Sequence, residues 1–299
     1  MITDRPKIEG IITAMVTPFD SANQVNEESL RRLARHLIEH GSDGLVVAGT
    51  TGEASTMSDG EHLRTIEVVV DEVGDQTTVL AGTGSNDTAH AIHLTEAATE
   101  LGADGALVVT PYYNKPNRLG LVEHFSAVAA ATSKPIVLYN IPGRCVINLE
   151  PDLLIELGEV SNIVAVKQAN DDIGQARAIV EDSDLELLAG DDNLVRPFAE
   201  IGGAGGICVT SHLFGERMAE MYDAARNGES ERAREIDDEL TDAYEALFVT
   251  ANPIATKAAL NLLGHEVGGL RLPLVEATEQ ERSVVRTMLE RHGMAVSAA

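Results

Sequence analysis

The sequence predicts an α/β fold of the (β/α)8 TIM-barrel class with a C-terminal helical appendage. Eight short apolar stretches, each followed by a helical pattern, fill about the first 228 residues. The stretches are continuously apolar, which is typical of parallel strands buried on both faces. The chain of 299 residues also suits a barrel with a small extension. We therefore expect a catalytic barrel over residues 1–228 and a helical region over 229–299.

Strands and helices are expected to alternate along the barrel. The predicted strands cover residues 10–19, 44–49, 78–84, 105–111, 135–142, 163–169, 185–190 and 205–211. The predicted helices cover residues 26–41, 58–73, 88–101, 120–132, 151–158, 173–181, 193–201 and 214–227. Apolar residues recur in these helices at the spacing of one helical face. Ser58 and Glu61 form the S-x-x-E pattern of a capping box, and Gly41 is suited to end the first helix.

Beyond Gly228 the apolar strands stop, and helical patterns cover residues 229–249, 254–263 and 276–292. An open, doubly wound sheet is the alternative to a closed barrel. Such a sheet usually carries a G-x-G-x-x-G dinucleotide motif, and the stretch GTGSND at 82–87 lacks the third glycine. The eight-fold alternation therefore favours the barrel.

The charge of the chain excludes one class of partner. Its formal net charge is −26, and arginine outnumbers lysine 17 to 5. A non-specific nucleic-acid binder needs a basic face, so nucleic acid is not an expected partner. Acid spread over the whole chain is a feature of proteins adapted to high salt. We interpret it as a halophilic adaptation, with an ordinary acidic enzyme as the alternative.

The compartment is expected to be the cytoplasm. Cys145 and Cys208 form neither a disulfide framework nor a metal-ligand spacing. The N-terminal sequence lacks the pattern of a signal peptide, and no apolar run reaches the length of a membrane span.

In a TIM barrel the active site lies at the carboxyl ends of the strands. Reading only those ends gives hydroxyls, glycines, one lysine and one arginine, with neither a histidine pair nor a carboxylate cluster, and we therefore expect no metal. Asp191 and Asp192 are interpreted as a solvated turn that caps the next helix.

Lys167 is the most informative of these residues. Alternation in the sixth strand predicts that Ile163, Ala165 and Lys167 share a face, which we expect to be the barrel interior. Burial disfavours a charged ammonium, and a neutral amine can attack a carbonyl to form a Schiff base. The alternative is a lysine that extends to solvent. Tyr139, at the end of the fifth strand, could transfer protons beside it, or could be an ordinary core tyrosine.

Two further features suit carboxylate ligands. The loop GTTGE at 49–53 offers backbone N–H groups and threonine hydroxyls, although a ligand-free turn could have the same sequence. Arg144 follows a proline turn after Tyr139 and could bind a carboxylate through two hydrogen bonds, or lie on the surface. The adjacent Tyr112 and Tyr113 are unusual in a chain with 3% aromatic residues.

Together these motifs resemble the dihydrodipicolinate synthase / N-acetylneuraminate lyase family of pyruvate-dependent class I aldolases. The resemblance rests on GTTGE, GTGSN at 82–86, TPYYN at 110–114, YNIPGR at 139–144, the lysine of AVKQA and NPIATKAAL at 252–260. It implies a homotetramer, built as a dimer of dimers, that needs no cofactor beyond its covalent imine with pyruvate. The implied site residues are Lys167 for the imine, Tyr139 for proton transfer, Thr50 linking Tyr139 to a neighbouring subunit's Tyr113, Thr51 for the pyruvate carboxylate, Arg144 for a second carboxylate, and Gly190 and Ile207 for backbone contacts.

The resemblance also bears on the second substrate. Arg144 is similar to the arginine with which the synthase branch binds L-aspartate 4-semialdehyde, and this implies diaminopimelate and lysine biosynthesis. Cys145 and Gln168 depart from the synthase pattern, so a 2-keto-3-deoxy sugar acid aldolase is an alternative. A catalytically silent pyruvate-binding barrel is another. Asp59 and His90 depart from the pattern of lysine-inhibited enzymes, so the resemblance does not predict feedback inhibition.

Overall fold

The structure, a computed structural model, describes residues 6–296 and contains the predicted closed barrel. All eight strands are parallel, each pairs with the next, and β8 pairs with β1 to close the sheet. The strands are β1 Gly10–Ala14, β2 Gly44–Val47, β3 Thr78–Gly82, β4 Gly105–Val109, β5 Ile136–Asn140, β6 Ile163–Gln168, β7 Glu186–Ala189 and β8 Gly205–Cys208. The sequence prediction of a TIM barrel is confirmed.

Helices surround the barrel and continue beyond it. They are α1 Glu27–Glu39, α2 Asp59–Val73, α3 Thr88–Glu100, α4 Arg118–Ala130, α5 Pro142–Cys145, α6 Pro151–Gly158, α7 Ile173–Asp182, α8 Val195–Glu200, α9 Ser211–Arg226, α10 Ser230–Leu247, α11 Ile254–Leu262 and α12 Glu279–Arg291. Short 3-10 helices cover Ala54–Thr56 and Asp192–Leu194. The predicted helical appendage is present. The one-turn helix α5 was not predicted, because four residues are too few to show a helical period.

The first strand is shorter than predicted. The apolar run continues to Phe19, but β1 ends at Ala14. Two residues on, the N–H of Val16 donates to the ring Nε2 of His212 at 3.1 Å. A side chain therefore replaces the neighbouring strand as the hydrogen-bond partner of the backbone there. Pro18 has no N–H to donate and could not continue a ladder. Residues 15–19 remain buried without being a strand.

The helix starts follow the sequence signals. Ser58 and Glu61 form the predicted capping box: the hydroxyl of Ser58 accepts from the backbone N–H of Glu61, and the Glu61 carboxylate accepts from the N–H of Ser58. Such reciprocal bonds satisfy two backbone donors at a helix start. Asn26 caps α1 by accepting from the N–H of Ser29. These caps fix where each helix leaves the carboxyl rim of the barrel.

The core has an inner and an outer part. The inner cluster fills the barrel and includes Ile12, Val46, Leu80, Leu107, Val137, Tyr139, Ala165, Leu188 and Ile207. The outer clusters lie between strands and helices, and residues of α10 and α12 such as Leu240 and Leu289 belong to one of them. The C-terminal helices therefore pack onto the barrel through shared apolar contacts. None of the helices within residues 6–296 combines the length and apolar character needed to cross a membrane.

Buried histidines predict a loss of stability in acid. His212 is buried, its Nδ1 donates to the carbonyl of Val209, and burial lowers its pKa to about 4. The unfolded chain binds this proton near pH 6.5, so it takes up more protons than the native state between about pH 6.5 and 4. Stability is therefore complete above this window and falls as the pH decreases through it. We expect His212 to account for roughly 3 kcal/mol by pH 4.

Urea unfolding of two variants at a series of pH values measures this contribution. In His212→Gln the amide oxygen can still accept the N–H of Val16 but takes up no proton, so the decline between pH 6.5 and 4.5 should be shallower. In the control His93→Gln an exposed histidine is replaced, and the wild-type slope should remain. Equal slopes in both variants would show that His212 does not carry the effect.

Candidate active site

Lys167 lies inside the barrel near its carboxyl rim. It is the fifth residue of β6, is 5% exposed, and is paired in register with Tyr139 on β5. Its Nζ is 4.3 Å from the centroid of the Tyr139 ring, within the range of a cation–π contact. The alternative of a lysine extending to solvent is therefore wrong. Two residues earlier, the small side chain of Ala165 is buried in the same inner cluster as Tyr139.

The predicted alternation in β6 fails at its first residue. Ala165 belongs to the inner cluster, but Ile163 packs in the outer cluster between strands and helices. The register between β5 and β6 shifts there, since Ile136 pairs with Ile163 while Val137 pairs with Ala165. An extra residue in one strand reverses the side of the sheet to which the preceding side chains point. The bulge leaves Lys167 facing inward and moves Ile163 outward.

Two acidic residues after β7 lie near the amine. Asp192 is fully buried, and its carboxylate accepts the backbone N–H groups of Val209 at 3.1 Å and Thr210 at 2.5 Å. Burial raises the pKa of Asp192, while these hydrogen bonds and the charge of Lys167 oppose the shift. Burial likewise raises the pKa of Asp191, again against the charge of Lys167.

The prediction that Asp191 and Asp192 form a solvated, helix-capping turn is wrong. Asp192 ties the β7 loop to the end of β8 instead of facing solvent, and the side chain of Asp191 makes no capping hydrogen bond. Within residues 6–296, no group of three or more His, Cys, Asp or Glu residues is arranged to hold a metal ion.

The GTTGE loop after β2 presents one buried hydroxyl. Thr51 is 3% exposed, and its Oγ1 accepts a hydrogen bond of 2.8 Å from Nδ2 of Asn252. Thr17 donates to the carbonyl of Gly52 at 2.7 Å and fixes the turn. Thr50 is exposed, and within residues 6–296 its hydroxyl makes no hydrogen bond to Tyr139. A single chain thus positions Thr51 but does not form the Thr50–Tyr139 link that the resemblance implies.

Gly190 and Ile207 complete the inner rim. Ile207 on β8 is fully buried in the same cluster as Tyr139 and Ala165. The N–H of Gly190 donates to the carbonyl of Gln168 at 2.8 Å, so the chain after β7 runs against the end of β6. A Cβ at Gly190 would lie 2.7 Å from the Cβ of Ala169, closer than side-chain carbons approach. Only glycine allows this close passage beside the lysine strand.

Two expected site residues are not held inside one chain. Tyr113 is 88% exposed and has a φ of 72°, a left-handed conformation that is uncommon for tyrosine. Arg144 lies on the one-turn helix α5 with an exposed side chain, and no carboxylate of residues 6–296 forms a salt bridge with it. An arginine left free at the rim of an acidic protein is available to an external carboxylate.

Comparisons with known proteins identify the family. A sequence model described as the dihydrodipicolinate synthetase family matches residues 7–292. The chain belongs to this family. It is 47% identical, over 96% of both chains, to a protein of Heliobacterium modesticaldum named 4-hydroxy-tetrahydrodipicolinate synthase.

Solved structures agree with this assignment. Dihydrodipicolinate synthase from Aquifex aeolicus superposes with a TM-score of 0.95 at 38% identity, covering 97% of this chain and 100% of that one. The chloride-inhibited enzyme from Acinetobacter baumannii, complexed with pyruvate, gives a TM-score of 0.93 at 38% identity over 96% and 100% of the two chains.

An amide network behind the site was missed by sequence reasoning. Asn140, next to Tyr139, donates to Oδ1 of Asn148 at 2.8 Å and to Oε1 of Gln168 at 3.0 Å, and its own oxygen accepts the N–H of Leu149. These bonds close the segment that carries Arg144 against β5 and β6. Gln168, which departs from the synthase pattern, is fully buried. Its side chain points into this network and away from Lys167. The amide residues were visible in the sequence, but their long-range pairing was not.

Cys145 is also accounted for by burial. It lies at the end of α5 with 1% exposure, and burial raises the pKa of its thiol to about 11. The thiol is therefore protonated at neutral pH and acts as a small packed side chain.

His90 and Asp59 contact each other. The ring Nε2 of His90 lies 3.0 Å from Oδ1 of Asp59, and its Nδ1 lies 3.3 Å from the hydroxyl of Ser85. These groups partner one another at the starts of α2 and α3, away from Lys167 on β6.

Proposed function

We propose that this protein is a class I lyase, a 4-hydroxy-tetrahydrodipicolinate synthase, that condenses pyruvate with L-aspartate 4-semialdehyde in diaminopimelate and lysine biosynthesis. The observation that carries the proposal is Lys167, buried at the carboxyl rim with its amine against the Tyr139 ring. Family membership and the name of the Heliobacterium relative support the choice of reaction. Residues 1–228 would supply the catalytic barrel and 229–299 the helical region packed on it.

The proposed reaction begins at the amine. Neutral Nζ of Lys167 attacks the C2 carbonyl of pyruvate, and loss of water gives an imine. A proton then leaves the methyl carbon, the imine nitrogen accepts the electron pair, and the enamine carbon attacks the aldehyde of the second substrate. Attack by the substrate's own amine on the imine carbon releases Lys167 and closes the ring. The imine supplies the electron sink, so this route uses no further cofactor.

Roles follow for the other residues. Tyr139 would carry protons to and from the imine, and Thr51 would donate to the pyruvate carboxylate. Gly190 and Ile207 would provide backbone groups beside the bound substrate. The exposed Tyr113 supports a homotetramer in which a neighbouring subunit inserts this hydroxyl next to Thr50, completing a relay to Tyr139.

Borohydride trapping tests the proposal. The protein is incubated with pyruvate, reduced, digested and analysed by mass spectrometry. We expect pyruvate to be reduced onto the peptide that contains Lys167. An unmodified peptide would exclude the Schiff-base mechanism. If the adduct forms, turnover with L-aspartate 4-semialdehyde and with a 2-keto-3-deoxy sugar acid follows, and a higher kcat/KM for the sugar acid would overturn the synthase assignment.

Arg144→Ala should separate the two substrates. Loss of a charge-assisted contact to the semialdehyde carboxylate should lower kcat/KM for that substrate about 10- to 100-fold. Trapping of pyruvate on Lys167 should be unchanged, because the arginine belongs to the second substrate. Arg232→Ala is the control, since its guanidinium pairs with Glu220 and Glu235 on α9 and α10. Equal losses in pyruvate trapping and in kcat/KM for the semialdehyde would assign Arg144 a structural role instead.

A further inference from the structure

The C-terminal region reaches the proposed pyruvate site through a buried polar contact. Asn252, just before α11, is 9% exposed and lies 201 residues from Thr51 in sequence. Its Nδ2 donates to Oγ1 of Thr51 at 2.8 Å. Asn252 thus contacts the hydroxyl proposed to bind the carboxylate, without lying on any strand of the barrel.

The direction of this hydrogen bond sets what Thr51 can do. A hydroxyl has one proton to donate and two lone pairs that accept, whereas an amide NH2 only donates. Thr51 therefore acts as the acceptor towards Asn252 and keeps its proton. Within residues 6–296 this buried hydroxyl donates to no other group. A substrate carboxylate, which only accepts, is the matching partner.

The segment that carries Asn252 is held firmly in place. Nζ of Lys257 lies 2.6 Å from Oε1 of Glu53 and donates to the carbonyl of Gly269 at 2.7 Å. The N–H of Arg271 donates to the other Glu53 oxygen at 3.0 Å. The C-terminal region thus contacts both Thr51 and Glu53 of the GTTGE loop. The contacts of Lys257 and Arg271 with Glu53 therefore hold the GTTGE loop and the segment that carries Asn252 against each other.

We propose that Asn252 is a positioning residue for pyruvate: its amide orients the Thr51 hydroxyl so that the proton points to the pyruvate carboxylate. The proposal rests on the function proposed above and adds to it a part for the C-terminal region in pyruvate binding. It acts on pyruvate binding alone, since Asn252 contacts neither Lys167 nor Arg144.

Steady-state kinetics of four proteins test it: wild type, Asn252→Ala, Thr51→Val and the double variant. In N252A the hydroxyl is free to rotate, and we expect KM for pyruvate to rise about tenfold. The KM for semialdehyde and kcat at saturating pyruvate should stay within about twofold of wild type. Because Asn252 acts through Thr51, N252A should add no further loss in the T51V background.

Two more variants complete the design. Asn252→Asp, nearly the same shape, accepts the Thr51 proton instead of donating to the oxygen, and should raise pyruvate KM more than N252A does. It also covers the case in which N252A does not fold. Asn261→Ala is the matched control, because the side chain of Asn261 bonds to Gly268 and Val267 within the C-terminal region. Its pyruvate KM should be that of wild type.

The outcomes separate this proposal from the function it rests on. If wild-type protein traps no pyruvate on Lys167, the proposed function fails and the positioning role fails with it. If wild type does trap pyruvate, three results would each overturn the positioning role alone. They are an unchanged pyruvate KM in N252A and N252D, an equal rise in both substrate KM values, and a loss in N252A that adds fully to that of T51V.

Discussion

Lys167→Met should abolish turnover while leaving the barrel folded. Methionine keeps the unbranched length of lysine and can fill its buried position, which is 5% exposed. The substitution removes the cation–π contact with Tyr139, but within residues 6–296 the amine forms no salt bridge whose loss would leave a directly paired carboxylate. Without the amine neither imine nor enamine can form, and we expect kcat to fall by on the order of 10³-fold or more. Turnover assays and borohydride trapping measure both effects on the same sample.

The control is Lys7→Met, which replaces an exposed lysine before β1, at the opposite end of the barrel. It should retain wild-type kcat and the trapped adduct. Circular dichroism should give the same thermal midpoint for K167M and wild type within a few degrees. A K167M variant that retains turnover would exclude Lys167 as the nucleophile, and an unfolded one would indicate a structural lysine.

Mixed oligomers extend the test to Tyr113. If this tyrosine completes a neighbour's site, co-expression of K167M with Tyr113→Phe creates pairs in which one site has both the intact lysine and the intact tyrosine. Random pairing makes about one quarter of all sites competent, so activity should exceed that of either variant alone. Absence of restoration would place Tyr113 outside the neighbour's site. The 88% exposure of Tyr113 within one chain is the reason to expect restoration.

The rim of the barrel could be predicted because parallel topology collects distant strand ends. Lys167 and Tyr139 are 28 residues apart, yet their strands are neighbours and their positions are in register. Short apolar strands, helix caps and the order of elements gave enough information to place both on the carboxyl rim. The closed arrangement of β1 to β8 then follows from eight repeats of one local unit.

Other parts of the site depend on contacts that no local pattern encodes. Ile163 faced the wrong way in the prediction because one inserted residue resets a two-residue period. Asp192 looked like a turn residue, but its carboxylate is buried by accepting N–H groups from the next strand. Asn252 meets Thr51 across 201 residues, and only the packed C-terminal helices bring them together. In each case a tertiary hydrogen bond or register outweighs the propensity of the local sequence.

Lys257→Met should cause a large loss of stability, because it breaks a buried ion pair between the C-terminal region and the barrel. Lys257 is 1% exposed, Glu53 is 2% exposed, and their charged atoms are 2.6 Å apart. Burial lowers the pKa of Lys257 to about 8, against the attraction of Glu53, so the amine is still charged at pH 7. Removing it leaves the Glu53 carboxylate buried without a cation, and we expect the free energy of unfolding to fall by about 3–5 kcal/mol in urea titrations.

Combining Lys257→Met with Glu53→Met in one double variant separates the interaction energy of the ion pair from the packing of the two side chains. The double variant has no buried charge and two apolar side chains, so it should regain most of the stability that K257M loses. Arg177→Met removes an exposed, 3.6 Å pair with Glu181, and should change stability by less than about 0.5 kcal/mol. A double variant as unstable as K257M would mean that the lysine stabilises through its contact with Phe19 rather than through Glu53.

The same ion pair links stability to the proposed site. Glu53 has a φ of 57°, a left-handed conformation that costs a glutamate free energy and persists only where surrounding contacts offset that cost. Lys257 and the N–H of Arg271 hold that side chain, and the loop it ends carries Thr51. The double variant has no unpaired buried carboxylate, but it also lacks the ion pair that holds the loop to the C-terminal region. We therefore expect the double variant to regain stability while its KM for pyruvate is higher than that of wild type. This result would separate the folding of the C-terminal region from its part in pyruvate binding.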